Sequence, residues 1–411
     1  MKILLSFLLT VMFISPSTNL NNEIENLNLS SENYILYSVN AEQVIASKNE
    51  DLLIEAASLN KVLTLITAID LLGDENLYKT LVIEPEIFED ISPLASLAGL
   101  QIDESYKLID ILYGISLPSG ADATRAISHY LTGNVEGLAN EMNKKAKEIG
   151  MTNTKIINTS GLDAEGQYTT LTDLLTLINY ARKNDLFMNI FQSIYYEFQS
   201  KDGVNMEFNN FILKESLERD FPYMVGAKSG YTDNAKFSLM SIAKKDNIEY
   251  IFISHRAEID FDSIPSLEDA IKVYEYLFEN YKSTKLNRDD LILDTKIRRR
   301  IKNYQFDYNQ TEAIVPIDFD ESFLEVRYNL KQEPIAPVKK GTVIGTQFVY
   351  YDGELIKTND IKFEENVEQS FIFIIFSLFK WIGIIILVLA FLVLAIRTYN
   401  IQRHKSKYRR K

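Results

Sequence analysis

The 411-residue chain contains no cysteine and only three histidines, His129, His255 and His404. Without cysteine it can form no disulfide bond, and no thiolate is available for catalysis or metal binding. The histidines lack the clustered spacing with acids that a zinc peptidase needs. A Ser-His-Asp triad is not expected either, because His404 lies in the tail and the other two read as helix-surface and strand-end residues. We therefore expect neither a metal nor an organic cofactor.

Positive charge is scarce outside the C-terminal end. The formal net charge is −14, and residues 397–411 carry seven basic residues and no acid, so the remainder has a net charge of −21. A strongly acidic surface repels the phosphate backbone of nucleic acids. Nucleic acid is therefore not an expected partner.

The N-terminal end reads as an export signal. Lys2 precedes a mostly apolar run at residues 3–14, which is too short to span a bilayer. We predict a signal peptide over residues 1–17, with an uncleaved anchor as the alternative. Residues 18–33, rich in Asn, Glu and Ser, are predicted to be a flexible linker.

The C-terminal end contains the longest apolar segment. Residues 371–379 and 381–396 are almost wholly apolar and are interrupted by Lys380. This pattern predicts a membrane-anchoring helix over 367–396, and an interfacial helix is the alternative. The basic tail at 397–411 indicates the cytoplasmic side of the membrane, which leaves the rest of the protein outside.

Three short motifs point to chemistry. Ser58 and Lys61, at the start of an apolar helical run, are spaced to share one helix face. A serine hydroxyl becomes a nucleophile when a base accepts its proton, and a lysine can be that base when burial or a second cation lowers its pKa. Residues 228–230, Lys-Ser-Gly, supply such a cation, and residues 119–121 read Ser-Gly-Ala. This set is typical of penicillin-binding proteins and serine β-lactamases. The alternative is that these residues have no catalytic role. In that case Ser58 caps a helix, Ser119 lies in a turn, and both lysines are solvated.

Around these motifs the chain resembles the low-molecular-mass D-alanyl-D-alanine carboxypeptidases, which are serine-peptidase penicillin-binding proteins. The segments that carry the resemblance are 56–61, 112–123, 158–163 and 226–233, within about residues 34–282. Three positions depart from the family pattern. Asn60 replaces Thr, Ser229 replaces Thr, and Ala121 stands where the family has Asn.

The resemblance implies a serine-type D-Ala-D-Ala carboxypeptidase that acts through an acyl-enzyme on Ser58. The catalytic residues that it implies are Ser58, Lys61 and Ser119. The substrate-binding residues that it implies are Lys228, Ser229, Gly230 and Tyr231. Its implied partners are peptidoglycan stem peptides ending in D-Ala-D-Ala, β-lactam antibiotics as covalent inhibitors, and the membrane.

The predicted fold is α+β. Strands are expected at residues 34–39, 43–46, 239–242 and 250–254, and helices at 58–72, 172–183 and 267–281. The resemblance implies a β-lactamase/transpeptidase-like domain over 34–282, with a five-stranded antiparallel sheet and a helical cluster. Alternating segments broken by Pro and Gly predict a small all-β domain over 283–366. The basic run at 298–300 reads as a solvated surface, or as a site for an acidic partner.

Two other functions fit the same residues. A β-lactamase or D,D-endopeptidase could share this fold, and Glu136, Glu141 and Glu165 are candidate bases for a deacylating water. The other alternative is a non-catalytic, membrane-anchored cell-wall scaffold, which Ala121 would favour.

Overall fold

A computed structural model of the chain describes residues 18–89, 91–258, 263–331 and 333–408. The predicted signal peptide lies outside the described residues. The chain divides into two compact units. The first unit extends to Thr284 and also contains Glu312–Phe323 and Tyr351–Lys357, and the second consists of Lys285–Thr311, Leu324–Tyr350 and Thr358–Lys411.

A five-stranded antiparallel sheet is the centre of the first unit. Its strands are β1 (Ser31–Ser38), β2 (Gln43–Lys48), β7 (Met224–Thr232), β8 (Lys236–Lys245) and β9 (Ile248–Ala257). They lie in the order β2-β1-β9-β8-β7, so that β7 is an edge strand. The other ladders of this unit are β3 (Thr80–Val82) with β4 (Ser105–Lys107), β5 (Tyr195–Gln199) with β6 (Asn205–Asn209), and β10 (Tyr281–Lys285) with β13 (Glu312–Pro316).

Helices cover both faces of this sheet. The α-helices of the first unit are α1 (Thr18–Glu25), α2 (Lys61–Leu72), α3 (Leu108–Ser116), α4 (Ala121–Thr132), α5 (Val135–Ile149), α6 (Leu171–Ala181), α7 (Asp185–Phe191), α8 (Phe211–Glu218) and α9 (Pro265–Asn280). Along β1, Ile35 packs into a core with α2–α7, whereas Leu36 packs into a second core with α1, α8 and α9. This alternation follows from the two-residue period of a strand.

The helix α2 is buried nearly all round, because the hydrophobic cluster around it is built from several neighbouring helices and one face of the sheet. Such a helix needs apolar residues on every side, as its sequence provides. The predicted helix over 58–72 is present, and its first turn is the 3₁₀ turn Ala57–Asn60. The fold-class prediction of an α+β protein is confirmed.

The prediction of a flexible linker over 18–33 is wrong. Residues 18–25 form α1, in which Leu20 and Ile24 are buried in the second core. The carboxylate of Glu23 accepts hydrogen bonds from the hydroxyls of Tyr276 and Tyr281. The polar residues that suggested a linker occupy the outer side of a short amphipathic helix, whose few apolar side chains are enough to dock it.

The second unit contains short strands around a small aromatic and aliphatic core. Its strands are β11 (Ile292–Thr295), β12 (Tyr304–Asp307), β14 (Leu324–Leu330), β15 (Val343–Tyr351) and β16 (Glu354–Lys362). The core residues are Ile297, Phe306, Ala336, Ile344, Ile361, Phe363 and Val367. The ladders pair β11 with β12 and follow the order β14-β15-β16.

The predicted β-domain over 283–366 is not one uninterrupted unit. Residues 351–357 belong to the first unit, where the Lys357 ammonium donates to the carbonyl of Ala41 and Gln43 donates to that of Ile356. Such contacts between residues far apart in the chain leave no local sequence pattern.

The second unit ends in the long helix α10 (Phe371–Tyr408). Residues Phe371–Ile401 are long and apolar enough to cross a membrane, and their side chains are largely exposed. The helix continues through part of the segment that we predicted as a basic tail, because residues 397–408 contain neither Pro nor Gly to end it.

Candidate active site

Ser58 and Lys61 lie at the start of the central helix. Ser58 belongs to the 3₁₀ turn, and Lys61 is the first residue of α2. The Nζ atom of Lys61 lies 2.9 Å from the Oγ atom of Ser58, at hydrogen-bonding distance. Because the turn runs directly into the helix, a spacing of three residues places both side chains on one side. The structure thus brings together the two residues that the sequence analysis paired.

Burial makes Lys61 suitable as a base. Only 4% of the residue is exposed, and its Nζ atom also donates a 2.7 Å hydrogen bond to the carbonyl of Ser160. Burial disfavours the charged amine and lowers the pKa of Lys61 from 10.5 to about 7, although the charge of Asp122 opposes part of this effect. An amine with this pKa is partly neutral near pH 7, so it can accept a proton from Ser58.

The edge strand β7 runs beside the turn that carries Ser58. Gly230 allows this approach, because a Cβ atom there would lie 2.7 Å from the backbone nitrogen of Ser58. Ser229 is half-buried and Tyr231 is exposed, one on each side of this glycine. The structure therefore places the Lys-Ser-Gly motif at residues 228–230 directly against the turn that carries Ser58.

Lys228 is buried in the same strand, and 4% of it is exposed. Its Nζ atom donates to the carbonyl of Ser229 at 3.3 Å. Burial and the charge of Lys61 both lower the pKa of Lys228. We predicted Lys228 as the cation that lowers the pKa of Lys61, but burial is the main cause of that shift.

Ser119 lies between α3 and α4 with a φ of +62°, a conformation that non-glycine residues rarely adopt. Its Oγ atom is buried and has no hydrogen-bond partner among the described residues. Buried hydroxyls are normally paired, so this one is free to bind a ligand. Ser119, Lys228 and Ser229 line one cavity of about 460 Å³. The remaining residues that line it are Ser96, Leu97, Ala98, Leu117, Pro118, Glu207, Phe208, Asn209, Asn210, Phe211, Ile212 and Ala227.

Asp122 does not take the place of the Asn that the family has at position 121. Its buried carboxylate accepts hydrogen bonds from the backbone nitrogens of Ala98, Gly99 and Leu100 at 2.7, 2.9 and 3.0 Å. The side chain therefore fixes the loop that forms one wall of the cavity. Sequence reasoning missed this role, because the carboxylate and the three amides are more than twenty residues apart.

The loop at residues 158–163 completes the surroundings of Lys61. It supplies the Ser160 carbonyl that Lys61 contacts, and Asn60 donates to the Asn158 carbonyl at 3.1 Å. Gly161 has a φ of +83°, and a Cβ atom there would lie 1.9 Å from the carbonyl oxygen of Ala57. The Asn-x-x-Gly pattern in the sequence signalled this loop, but not the contact between Ser160 and Lys61.

The other titratable candidates lie elsewhere. His255 is buried in β9 beside Asn33 and the Glu55 carbonyl, and burial lowers its pKa to about 4. Glu141 pairs with Lys144, and Glu136 and Glu165 are exposed. Over residues 18–401 with their gaps, no group of three or more His, Cys, Asp or Glu side chains could hold a metal.

Comparison with known proteins identifies this arrangement. The sequence profile of the family described as D-alanyl-D-alanine carboxypeptidase matches residues 20–258, more than half of the chain. The chain belongs to this family. It is a serine peptidase and a hydrolase, and the activity and family predicted from the motifs are confirmed. A second profile, the C-terminal domain of penicillin-binding protein 5, matches residues 319–369.

The relatives match over most of their length. D-alanyl-D-alanine carboxypeptidase DacF of Bacillus subtilis is 25% identical over 338 residues, which cover 80% of this chain and 83% of that protein. DacC of Escherichia coli is 24% identical over 390 residues, which cover 88% and 91%. The crystal structure of penicillin-binding protein 5 from Haemophilus influenzae superposes with a TM-score of 0.68 at 21% identity, over 83% of this chain and 98% of that one. This likeness shows the fold.

Proposed function

We propose that Ser58 is the nucleophile and Lys61 the general base of a D-Ala-D-Ala carboxypeptidase that removes the terminal D-Ala from peptidoglycan pentapeptides. The observation that carries this proposal is the 2.9 Å contact between the two side chains, with a lysine whose pKa burial lowers to about 7. The class of substrate is inferred from the relatives, which are named D-alanyl-D-alanine carboxypeptidases.

In the acylation step, Lys61 accepts the proton of Ser58 while the Oγ atom attacks the carbonyl of the penultimate D-Ala. We assign the backbone N–H groups of Ser58 and Tyr231 to the developing oxyanion, and each such donor is worth about 3–4 kcal/mol. The unpaired hydroxyl of Ser119 is free to donate its proton to the leaving D-Ala nitrogen while it takes up the proton that Lys61 accepted from Ser58, so that Ser119 and Lys61 return to their starting states. Water then releases the acyl group from Ser58.

Lys228 and Ser229 are assigned to the terminal carboxylate of the substrate. The pKa of Lys228 is lowered in the free protein, but a carboxylate beside it would favour the charged amine. β7 is an edge strand of the sheet, and an edge strand can pair with an extended peptide as an added strand. A β-lactam that mimics D-Ala-D-Ala would acylate Ser58 in the same way.

We further propose that α10 anchors the protein in the membrane by a single pass. Its candidate span Phe371–Ile401 contains 31 residues, and at about 1.5 Å per residue it exceeds the ~30 Å hydrocarbon core. Lys380, the one charged residue within the apolar stretch 371–396, can extend toward the interface. The basic residues after 396 favour a cytoplasmic C-terminus and an external catalytic unit.

Mass spectrometry after exposure to a β-lactam tests the assignment of the nucleophile. We expect one covalent adduct on Ser58 in the wild type, and neither an adduct nor release of D-Ala from a pentapeptide in Ser58→Ala. Ser193→Ala, a serine that is partly exposed at the end of α7, is the matched control and should keep both activities. An adduct on another serine would overturn the assignment.

A further inference from the structure

A basic loop belongs to the second unit, whereas the residues that we propose for catalysis belong to the first. Five of the seven residues 296–302 are lysine or arginine. Lys296, Arg298, Arg299 and Lys302 are exposed, and Arg300 lies over the ring of Tyr304. The ion pairs in the described part of this unit are Arg288–Asp290, Arg327–Glu325 and Lys362–Glu364, and none involves the basic loop. Its charge is therefore available to an anionic partner.

The basic loop is attached to the start of α10. The backbone nitrogen of Ser370 donates to the carbonyl of Arg299 at 2.9 Å, and that of Ile301 donates to the Oγ atom of Ser370 at 3.1 Å. Phe371, the next residue, is the first of the candidate span. If α10 crosses the membrane, the basic loop must lie at the membrane surface.

Exposed apolar side chains stand among these charges. Ile301 is 72% exposed inside the basic loop, and Ile335, which forms a bridge with Arg298, is 44% exposed. Lys339 and Lys340 add two further exposed cations, and the backbone nitrogen of Lys340 bonds to Asn366 near the start of the helix. Basic residues that surround an exposed isoleucine match the chemistry of the lipid headgroup region.

We propose that the basic loop, with Lys339 and Lys340, binds the phosphate groups of anionic phospholipids in the outer leaflet. This inference rests on the proposed anchoring by α10. Guanidinium groups bind phosphate oxygens through two parallel hydrogen bonds, and the loop adjoins the span well within the ~8–10 Å over which charges act in salt solution. A phospholipid surface also accommodates Ile301, which a water-soluble polyanion would leave in water.

The seven cations of the basic loop and of residues 339–340 outnumber the acidic residues nearby in the chain. Glu364 pairs with Lys362 at 4.0 Å, and the exposed acids are Asp294, Glu333, Glu365 and Glu368, so an excess of positive charge remains. The basic charge outside the membrane is also compatible with the proposed topology, since long segments and whole domains are translocated largely regardless of their charge.

The absence of cysteine from the sequence permits a direct test on the full-length protein. A spin label on Ile301→Cys would be unique, and its depth can be measured by oxygen and nickel accessibility in nanodiscs. We expect the label to gain oxygen access and lose nickel access when phosphatidylglycerol is added to phosphatidylcholine, and high salt should reverse the change. Arg298→Gln/Arg299→Gln/Lys302→Gln should weaken binding to the anionic lipid about a hundredfold, since each of the three interfacial basic residues contributes roughly fivefold.

The matched control Lys147→Gln/Lys201→Gln/Lys244→Gln removes the same charge at exposed positions of the first unit and should respond as the wild type does. A label that stays in water with both lipids, or that responds only to soluble polyglycerol phosphate, would overturn the proposal. Failure of the protein to enter nanodiscs would instead contradict the anchoring by α10. Release of D-Ala by the labelled protein, by the variant of the basic loop and by the control would show that the catalytic unit is intact in each.

Discussion

At the residue scale, the proposed chemistry depends on the burial of Lys61. Among the described residues, the Nζ atom of Lys61 forms hydrogen bonds with the Ser58 hydroxyl and the Ser160 carbonyl, and neither partner carries a charge that would hold the amine protonated. Asp122 acts on it through space and opposes the effect of burial. The pKa of Lys61 is therefore set by the enclosure of the site rather than by a single neighbour.

Acylation should depend on pH through Lys61. Because only the neutral amine accepts the proton of Ser58, the rate of β-lactam acylation should fall as the pH drops below about 7 and level off above it. Lys61→Arg should lose nearly as much activity as Lys61→Ala, since a guanidinium stays protonated. Stopped-flow acylation across this pH range provides the measurement. A profile that is flat through pH 7, or an active Lys61→Arg protein, would mean that the proton goes elsewhere.

Asp122→Asn should affect both stability and this pH profile. The amide would lose charge-assisted hydrogen bonds to the loop at residues 98–100, which costs about 1.5–3 kcal/mol of unfolding free energy. Removing the negative charge should also lower the pKa of Lys61 further and move the acidic limb of the profile to lower pH. Urea denaturation and acylation rates measure the two effects. Asp318→Asn, at an exposed position, should change neither, and an unmoved acidic limb in Asp122→Asn would argue against the electrostatic link.

At the scale of the elements, the site forms where three segments meet: the turn before α2, the edge strand β7 and the loop at residues 158–163. Two glycines permit these approaches, Gly230 against Ser58 and Gly161 against Ala57. The hydroxyl of Thr232, at the end of β7, donates to Asp163 at 2.9 Å and so ties the strand to the loop. A bulkier residue at either glycine would therefore separate elements rather than only fill space.

Gly161→Ala tests this closeness, with Gly166→Ala as the matched control. Both glycines have a positive φ, but a Cβ atom at position 161 would lie 1.9 Å from the Ala57 oxygen, whereas at position 166 its nearest neighbour is 3.6 Å away. Gly166→Ala should lower the free energy of unfolding by about 1 kcal/mol, through conformational strain alone. Gly161→Ala should lower the free energy of unfolding by at least twice as much. It should also reduce the rate of acylation about a hundredfold or more, because a small misplacement of the reacting groups is sufficient for that loss. Equal effects of the two substitutions would contradict the steric argument.

At the scale of the whole molecule, the residues that we propose for catalysis and the apolar helix belong to different units. Ser58, Lys61, Ser119 and Lys228 all lie in the first unit, whereas α10 belongs to the second. The core of the second unit includes Val367, and Ser370 bonds to the basic loop. The folded part of the second unit therefore extends to the first residue of the helix.

A protein that ends at Ser370 should consequently be soluble and active. Fractionation of cells and β-lactam labelling of the soluble fraction measure both properties. A protein that ends at Glu365 is the comparison: loss of Val367 should destabilise it by about 1–3 kcal/mol, through the buried side chain and its backbone bonds to Val338. If the longer protein stays with the membranes, an uncleaved N-terminal segment would be the anchor.

The sequence by itself determined the class of enzyme and several elements, among them α2, α6 and α9, and it named the residues that we propose for the site. Ser58 and Lys61 are linked by local helix geometry, and apolar runs identify elements such as α2 and α10 because burial or lipid requires them. Gly150, a glycine directly after the last residue of α5, ends that helix in a left-handed conformation. These features are determined by residues close together in the chain.

Only the tertiary structure decided what surrounds those residues. Docking of α1 was missed because two buried side chains, Leu20 and Ile24, are too few to form a clear pattern in sequence. The carbonyl of Ser160 and the loop held by Asp122 act through backbone atoms, which every residue type carries. The low pKa of Lys61 likewise arises from enclosure by segments about a hundred residues away, and no local spacing encodes the loss of water.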